Sequence, residues 1–350
     1  MLEIKVTLEE QSLTVATEQL DCCPNCGSKQ IKFWCKGHDR LHSLSTQVFV
    51  YSNCKECDLL FLSIRPPEQE VYKFYPPDYA PYQTQPKVAS EIAVDPLSEK
   101  RSIATLPQRA LNKIVSTLNE KYVAVFPNSL PQKLRQFYKP ATNGLKLLDF
   151  GCGSERFLNS ARQQGWETLG IDFSLDTIKK VQSSGHQAFL MSPNVWQEID
   201  NESLDCVRMS HVLEHLYQPK QVLAALHCKM KSGAKIHVSV PNSQSIAATL
   251  FRSCWFDLDC PRHVILYSPA LLKQLLIESD YSDIEIVHQS VPKNFLRSLE
   301  YFLQDIHQEQ DWIGQDDATR QQLEQLFFIP AGLSALIGAS DRFHVFAVKK

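Results

Sequence analysis

The segment KLLDFGCGSERFL, from Lys146 to Leu158, constrains the fold of this 350-residue chain more than any other. An apolar run ends in Asp149, a turn with Gly151 and Gly153 follows, and an amphipathic stretch begins at once. Glycine lets a backbone approach a ligand closely, and the first turn of a helix offers unpaired N–H groups to an anion. The segment therefore predicts a strand, a glycine turn and a helix that together bind an anionic group.

The chain after Leu145 alternates short apolar runs with amphipathic stretches, which predicts parallel strands connected by helices. The predicted strands are LKLLDF, ETLGID, QAFLM, LDCVRMS, AKIHVSV, IEIVHQ and the final RFHVFAVKK. Helices are predicted to begin near Glu155, Leu175 and Pro219, with another over 269–280. Before the last strand lies a stretch with helical spacing and an apolar patch, FFIPAGLSALIG, which is too short to span a bilayer.

A second acidic residue, Asp172, ends the next predicted strand about twenty residues after the glycine turn. A carboxylate at this place can accept hydrogen bonds from both hydroxyls of a ribose, and Phe173 beside it can pack on an adenine ring. A dinucleotide fingerprint would need a third glycine where the chain has Arg156. The pattern therefore favours a nucleoside ligand over a dinucleotide.

Two C-x-x-C pairs near the start of the chain predict a structural zinc site. The pairs lie in CCPNCGS and NCKEC, and each short loop places two sulfur atoms on the same side of the backbone. The predicted ligands are Cys23, Cys26, Cys54 and Cys57. Three nearby residues can replace one of them, so the register stays open: Cys22, Cys35 and His38. The alternative is a set of buried or redox-active thiols.

The pattern divides the chain into a zinc-ribbon region over 1–64, an aromatic loop with a helical lead-in over 65–140, and a larger domain over 141–350. The loop, RPPEQEVYKFYPPDYAPY, carries prolines that forbid a regular helix and aromatic rings that cannot all be exposed. We expect it to lie over the larger domain as an ordered loop, the alternative being a linker. A helical insertion is expected at about 291–340.

Composition limits the partners. The chain has 36 basic and 39 acidic side chains and a net charge of −3, so no positive surplus favours nucleic acid. Its first residues are acidic where a secretory peptide would be basic, and no apolar stretch is long enough for a membrane span. We expect a cytoplasmic location, where the 11 cysteines serve as ligands or packing residues rather than disulfides.

Together these motifs resemble the class I S-adenosylmethionine-dependent methyltransferases over 145–289. The resemblance rests on LLDFGCGS, GIDFS, LDCVRMS followed by HVLEHLYQP, SVPN, and LDCPRHVILYSPALLKQLL. HVLEH with PRH is typical of one branch, whose members often carry a zinc ribbon and a tyrosine-proline segment similar to FYPPDY. The resemblance implies an α/β fold: a Rossmann-like sheet with helices on both faces, preceded here by the ribbon.

The resemblance also implies a set of S-adenosylmethionine contacts. The methionine end is expected at Asp149, Gly151 and Gly153, the ribose at Asp172, and the mouth beside the sulfonium at Met209, Ser210 and His211. Cys152 and Phe173 are further expected cofactor contacts. Glu155 departs from the family, which usually has a third glycine there. A carboxylate in that place would repel the cofactor's own carboxylate, so we expect Glu155 to turn outward in the first helical turn. The loop after QAFLM lacks the acidic residue that often holds adenine.

Methyl transfer from a sulfonium needs alignment of the acceptor and, for a hydroxyl acceptor, removal of a proton. The candidate bases are His263, His215 and His211, with His263 and His215 ranked first. On a helix, His211 and His215 would share a face and Glu214 would diverge. In some relatives this Glu–His pair helps to hold a divalent ion. Arg262 is expected to pair with an acidic group of the substrate or with Asp257 or Asp259.

The predicted activity is methyl transfer to oxygen, or to carbon or nitrogen, of a small or carrier-linked metabolite, with a sugar hydroxyl as leading acceptor. One alternative is a non-catalytic binding module with a degenerate methyltransferase scaffold, and another is a dinucleotide-dependent nucleotide-sugar oxidoreductase. The helical insertion can serve as a lid, a homodimer contact or a surface for a lipid-linked substrate.

Overall fold

The smaller of two sheets contains the predicted zinc-ribbon region. The computed structural model describes residues 12–76, 130–307 and 332–350. The smaller sheet has the strand order β1-β4-β3-β2, with β10 also paired to β4. Its strands are β1 (Glu18–Gln19), β2 (Ile31–Gly37), β3 (Phe49–Cys54), β4 (Leu60–Arg65) and β10 (Ile265–Leu266).

The larger sheet has the order β11-β12-β9-β8-β5-β6-β7. Its strands are β5 (Lys146–Phe150), β6 (Glu167–Asp172), β7 (Gln187–Leu190), β8 (Leu204–Ser210), β9 (Met230–Pro241), β11 (Tyr281–Gln289) and β12 (Arg342–Lys349). The first five are parallel, whereas β11 and β12 run antiparallel to their neighbours. These strands correspond to the seven that the apolar runs predicted.

Helices connect the strands as the sequence pattern predicts. Their bounds are α1 (Leu130–Phe137), α2 (Arg156–Gln163), α3 (Leu175–Ser183), α4 (Pro219–Lys229), α5 (Ile246–Phe251), α6 (Pro269–Glu278) and α7 (Pro292–His307). Serine side chains cap three of them, because the hydroxyls of Ser174, Ser245 and Ser268 accept from backbone N–H groups in the first turn. None of the described helices has the length and apolar character that a membrane crossing requires.

The strand order places a crevice between β5 and β8. From β5 the chain adds β6 and β7 on one side, and then returns to add β8 and β9 on the other. In open α/β sheets, ligands bind at such a switch point, outside the carboxyl ends of the strands. The glycine turn follows β5 directly, so the fold puts it at the switch point.

The two sheets are joined more closely than the predicted two-part division indicates. Strand β10 belongs to the methyltransferase-like part of the chain but pairs with β4, matching Ile265 to Phe61 and Leu266 to Leu60. The buried Tyr51 hydroxyl reaches the carbonyl oxygen of His263 at 2.9 Å. The ribbon therefore holds the PRH loop in place, which local sequence patterns do not reveal.

Arg262 also joins the two parts. Its fully buried guanidinium donates to Asp39 in the ribbon at 2.8 Å and to Asp259 at 2.6 Å. It also donates to the carbonyl oxygen of Phe74 at 2.9 Å. The prediction of an Asp259 pair is confirmed, whereas pairing with a substrate is wrong, because the side chain is buried and its partners are protein groups. Asp257 instead accepts from Asn294.

Parts of the predicted loop, lead-in and insertion lie outside the described residues. The described part of the aromatic loop, up to residue 76, lies against the larger domain: the Tyr217 hydroxyl donates to the carbonyl of Pro66 at 2.7 Å. Residues 77–129 and 308–331 are outside the description. The described ends of the lead-in and of the insertion are helical, as α1 and α7.

Candidate functional site

A cavity of about 750 Å³ opens at the carboxyl ends of β5, β6 and β8. This volume lies within the roughly 300–1,000 Å³ of small-molecule sites. One end is lined by the glycine turn, Asp172 and Phe173, and the other by Phe256, Asp257 and Arg342. Tyr75 and Leu41 from the N-terminal part also line it, so the ribbon and its loop help to form the wall.

The glycine turn makes one wall of the cavity. Gly151 has φ +74° and Gly153 has φ +62°, a left-handed conformation that favours glycine. A Cβ on Gly151 would lie 2.3 Å from Cγ2 of Val212, so only a residue without a side chain fits there. This turn can accept close approach of a ligand, as the methionine end of S-adenosylmethionine requires.

Asp172 lies at the bottom of the same end. Its Oδ2 accepts from the backbone N–H of Gly153 at 2.8 Å, and its Oδ1 accepts from Ser174 at 2.9 Å. Burial raises the pKa of Asp172, and these backbone donors oppose the rise. A carboxylate has about four lone-pair sites, so Asp172 keeps acceptor capacity for a hydroxyl of a ribose. The residues present fit the nucleoside.

The apolar wall beside Asp172 suits a flat ring. Phe173 is 49% exposed and lies edge-on to Tyr75, with ring centroids 4.9 Å apart. Met191, in the loop that lacks an acidic residue, lines the same end. Sequence reasoning did not select Met191, although its place directly after β7 is the signal that could have found it.

Asp149 does not reach the cavity, contrary to the expectation that it faces the methionine end. Its carboxylate is fully buried and accepts from Arg208 at 2.7 Å. Burial raises the pKa of Asp149, and the neighbouring guanidinium lowers it. Asp149 therefore acts behind the wall, where it holds Arg208, a residue that does line the cavity.

Glu155 does not line the cavity either. It is the N-cap residue of α2, and its Oε2 is buried without a hydrogen-bond partner among the described residues. Its charge acts on His186, which lies away from the ligand end. Glu155 is thus not part of the cavity wall, although its side chain is more buried than the outward orientation we expected.

The mouth residues divide between cavity and core. Ser210 and His211 line the cavity, as does Cys152 in the glycine turn, whereas Met209 is fully buried in the core on the opposite face of β8. Alternate residues of a strand point to opposite faces. The prediction that Met209 faces the sulfonium is therefore wrong for its side chain.

The segment HVLEH, residues 211–215, does not form the predicted α-helix. Only Leu213–His215 form a short 3-10 turn, and His211 has φ +55°. Glu214 consequently points toward the histidines instead of diverging from them. The Nδ1–H of His211 donates to Glu214 Oε1 at 3.2 Å, and His263 Nε2 lies 3.9 Å from the same oxygen.

Glu214 is a buried anion surrounded by histidines. Its side chain is fully buried, and its Oε2 has no hydrogen-bond partner among the described residues. Burial would raise its pKa, but the hydrogen bond from His211 and the charges of the three histidines outweigh burial and lower the pKa to about 2. Glu214 is therefore ionised at neutral pH.

The other two histidines have one ring nitrogen engaged by the backbone. His215 Nδ1 lies 2.9 Å from the carbonyl oxygen of Arg262, and His263 Nδ1 lies 2.7 Å from that of Asp257. A carbonyl only accepts, so each Nδ1 carries the proton and each Nε2 keeps a lone pair. Burial and the nearby His263 lower the pKa of His215 to about 4, which makes it a weak base.

Two groups of side chains can each hold a metal ion. One ligand atom each from Glu214, His215 and His263 lies within 4.8 Å of the others. Two imidazoles and a carboxylate form a ligand set that divalent transition metals accept. The backbone carbonyls that bind the two Nδ1 atoms orient the rings as in known metal sites.

The predicted cysteine set forms the second group. The sulfur atoms of Cys23, Cys26, Cys54 and Cys57 all lie within 4.8 Å of one another. The Cys23–Cys57 and Cys26–Cys54 sulfur pairs are each 3.6 Å apart, near the roughly 3.8 Å edge of a tetrahedron with Zn–S bonds of about 2.3 Å. The four therefore fit zinc.

The three alternative ligands lie elsewhere. Cys22 is exposed, Cys35 is buried in the core near Cys254, and His38 lies beside Arg40. The fold thus selects one of the registers that the sequence left open.

A family profile described as a methyltransferase domain matches residues 92–286, more than half of the chain. The chain is 26% identical over 165 residues to the ubiquinone biosynthesis O-methyltransferase of Idiomarina loihiensis, covering 43% of this chain and 68% of that one. It is 26% identical over 154 residues to the malonyl-[acyl-carrier protein] O-methyltransferase of Hamiltonella defensa, covering 44% of this chain and 59% of that one.

Among solved structures, a SAM-dependent methyltransferase from Archaeoglobus fulgidus aligns with a TM-score of 0.44 and 20% identity, over 62% of this chain and 90% of that one. A phosphoethanolamine N-methyltransferase 2 from Haemonchus contortus, in complex with S-adenosyl-L-methionine, aligns with a TM-score of 0.43 and 12% identity. That alignment covers 91% of this chain and 68% of that one.

Proposed function

The chain belongs to the class I S-adenosylmethionine-dependent methyltransferases, and we propose that it methylates a hydroxyl of a small or carrier-linked metabolite with His211 as general base. The observation that carries the proposal is the hydrogen bond between His211 and the buried Glu214, in the cavity that also contains the glycine turn. The two curated relatives are named O-methyltransferases, and the chain spans 59–68% of their lengths.

Cofactor binding is assigned to the glycine end of the cavity. Gly151 and Gly153 leave room for the methionine part, Asp172 accepts from the ribose, and Phe173 and Met191 pack against adenine. Bound S-adenosylmethionine supplies a methyl group on a positively charged sulfur that leaves as a neutral thioether. The protein then has to align the acceptor and take up one proton.

His211 is assigned the proton because of its partner and its access to the cavity. Its Nδ1–H is held by the ionised Glu214, so the lone pair is on Nε2. As the new O–C bond forms, the hydroxyl proton moves to this Nε2, and the Glu214 carboxylate stabilises the resulting imidazolium. This assignment differs from the order predicted from the sequence, in which His263 and His215 came before His211. His215 is a weak base, and only 8% of the His263 side chain is exposed.

A sugar hydroxyl remains our leading acceptor. The cavity lining includes the aromatic rings of Tyr72, Tyr217 and Phe256 and the polar groups of Asp257 and Arg342. Apolar rings with a few convergent polar groups are typical of sites for small polar molecules. A carrier-linked acceptor is the alternative, supported by the name of the malonyl-[acyl-carrier protein] relative.

The four clustered cysteines are assigned to a structural zinc ion. Zinc would tie the two knuckles of a segment too small to build its own core. The four cysteines are not among the residues that line the cavity, so the ion would stabilise the ribbon and would not contact the substrate.

The test measures cofactor binding and transfer separately. Calorimetry with S-adenosylhomocysteine should detect binding to the wild type, and His211→Asn should bind within threefold of it. With hydroxyl acceptors and radiolabelled S-adenosylmethionine, His211→Asn should lower kcat by about 10²–10³, the range of general-base catalysis. The matched control, His227→Asn, changes a histidine on α4 that does not line the cavity and should keep full activity.

Other outcomes select between the alternatives. Tight cofactor binding without transfer to any acceptor would favour the non-catalytic module. Full activity of His211→Asn would exclude this base. A second candidate mechanism uses a divalent ion at Glu214, His215 and His263, and the closeness of their ligand atoms favours it. It predicts that added Mn²⁺ or Fe²⁺ stimulates the wild type and that Glu214→Gln abolishes the stimulation.

A further inference from the structure

Arg342 lies at the acceptor end of the cavity and takes no part in the proposed transfer of the methyl group or of the proton. It is the first residue of β12, which runs antiparallel to β9 and pairs Arg342 with Pro241, the last residue of β9. The start of an antiparallel strand thus lies at the same edge as the carboxyl ends of its parallel neighbours. Arg342 therefore lines the cavity although it is far in sequence from every predicted site residue.

The guanidinium of Arg342 has unused donors. Its side chain is 22% exposed, and within the described part of the chain the carboxylate that it faces is that of Asp257, at 3.9 Å, too long for a hydrogen bond. Its Nε is buried and has no hydrogen-bond partner among the described residues. A buried donor without a partner costs free energy unless a ligand or water satisfies it.

Asp257 is only a partial counter-ion. Both of its carboxylate oxygens accept from the Asn294 side chain, at 2.7 and 2.9 Å, and the residue is 5% exposed. The carboxylate is therefore oriented toward Asn294. By contrast, Arg208, which also lines the cavity, donates to Asp149 at 2.7 Å.

Arg342 lies near other basic groups and near acidic ones. Burial, His211, Arg342 and Arg208 all lower the pKa of the buried His344, to about 3, so the three groups lie close enough to act on one ring. Asp257 and Asp259 also line the cavity, and Asp149 pairs with Arg208. What the acceptor end offers an anion is thus the guanidinium of Arg342 itself, whose Nε has no hydrogen-bond partner among the described residues.

We propose that Arg342 binds an anionic group of the acceptor, a carboxylate or a phosphate, while the acceptor's hydroxyl faces His211. The inference rests on the proposed function and names the substrate class. A guanidinium presents its donors as a planar fork that matches both anions with two parallel hydrogen bonds. The preferred acceptors are therefore hydroxylated acids or phosphate esters rather than neutral alcohols.

The test compares matched probes on the protein saturated with S-adenosylhomocysteine. The sugar probes are D-glucose, D-glucuronate and α-D-glucose 1-phosphate, and the aromatic pair is 4-hydroxybenzyl alcohol and 4-hydroxybenzoate. We expect at least one anionic probe to bind the wild type ten or more times tighter than its neutral counterpart. The anion with the larger gain identifies carboxylate or phosphate as the natural group.

Three variants assign the preference to this residue. Arg342→Gln should bind acid and neutral probes equally, and Arg342→Lys should keep part of the preference. Asp257→Asn removes the competing carboxylate and should therefore bind the anionic probes at least threefold more tightly than the wild type. Arg135→Gln, on the exposed side of α1, removes one positive charge without touching the cavity and should behave as the wild type.

Two results would overturn the assignment: no anionic probe binds the wild type tighter than its neutral partner, or Arg342→Gln keeps the preference. Binding of S-adenosylhomocysteine, measured first, separates this failure from failure of the proposed function. If the wild type does not bind it, the proposed function fails. If it binds without an anion preference, only the role of Arg342 fails.

Discussion

The glycine turn gives the most quantitative prediction, because replacing Gly151 with alanine adds two separable costs. The residue has φ +74°, and a residue with a Cβ pays about 1–2 kcal/mol for that conformation. The added Cβ would also lie 2.3 Å from Cγ2 and 3.1 Å from Cγ1 of Val212, a clash that forces a shift costing about 1–3 kcal/mol. The free energy of unfolding should fall by about 2–5 kcal/mol.

Gly233 provides the matched control. It has φ +77°, but a Cβ there would meet nothing within 4 Å, so the only cost of Gly233→Ala is that of the left-handed backbone conformation. Urea unfolding should therefore show Gly151→Ala less stable than Gly233→Ala by about 1–3 kcal/mol. Calorimetry should show that Gly151→Ala binds S-adenosylhomocysteine at least tenfold more weakly than the wild type, whereas Gly233→Ala binds it with wild-type affinity.

A second substitution tests the cause of the loss. Val212→Ala removes both γ-carbons that the new Cβ would meet, so adding it to Gly151→Ala should recover part of the stability and of the affinity. The reasoning is refuted if Gly151→Ala is as stable as Gly233→Ala and binds the nucleoside normally. It is also refuted if Val212→Ala adds its own cost without any recovery.

The remaining predictions concern the ion pairs, the zinc site and pH. Arg262→Met should lower the free energy of unfolding by about 3–5 kcal/mol in urea, because it leaves buried carboxylates unpaired, while Lys179→Met at an exposed pair should change it by under about 1 kcal/mol. Atomic emission should detect no bound zinc in Cys54→Ser, whereas Cys22→Ser, at an exposed cysteine, should keep the zinc content of the wild type. Burial raises the pKa of Asp341 from 3.8 to about 6, so the folded state binds its proton more tightly and this group lowers stability as pH rises from about 4 to 6. Asp341→Asn should therefore gain stability over the wild type by up to about 3 kcal/mol between those pH values, and a pH-independent difference would contradict the assignment.

Most of the larger sheet was predictable because its elements carry their own signals. A buried parallel strand is a short apolar run, and its crossover helix is amphipathic, so each unit can be recognised from its own sequence. The C-x-x-C pairs can be recognised for the same reason, since the two cysteines of each pair are close in sequence. Choosing among ligand registers needed the fold, because the two knuckles are joined through the β2–β3 and β3–β4 pairings.

The site was less predictable because its chemistry depends on partners distant in sequence. Asp149 was expected at the ligand, but Arg208, 59 residues away, binds its carboxylate instead. The helical assumption for HVLEH misplaced Glu214, since spacing alone cannot distinguish an α-helix from a single 3-10 turn. Arg342 carries no motif, and only the strand order brings it to the cavity.

The PRH loop explains why a zinc ribbon precedes this catalytic domain. In β4, the backbone N–H of Leu62 donates to the carbonyl of Val264 at 2.9 Å, and the N–H of Val264 donates to the carbonyl of Glu214 at 2.9 Å. The ribbon sheet, the PRH loop and the turn that holds the proposed orienting carboxylate are thus linked by consecutive backbone hydrogen bonds. Because such bonds fix positions to a fraction of an ångström, the ribbon acts as a support for Glu214, and the proposed zinc ion would contribute to the geometry of the site only through the ribbon that it stabilises.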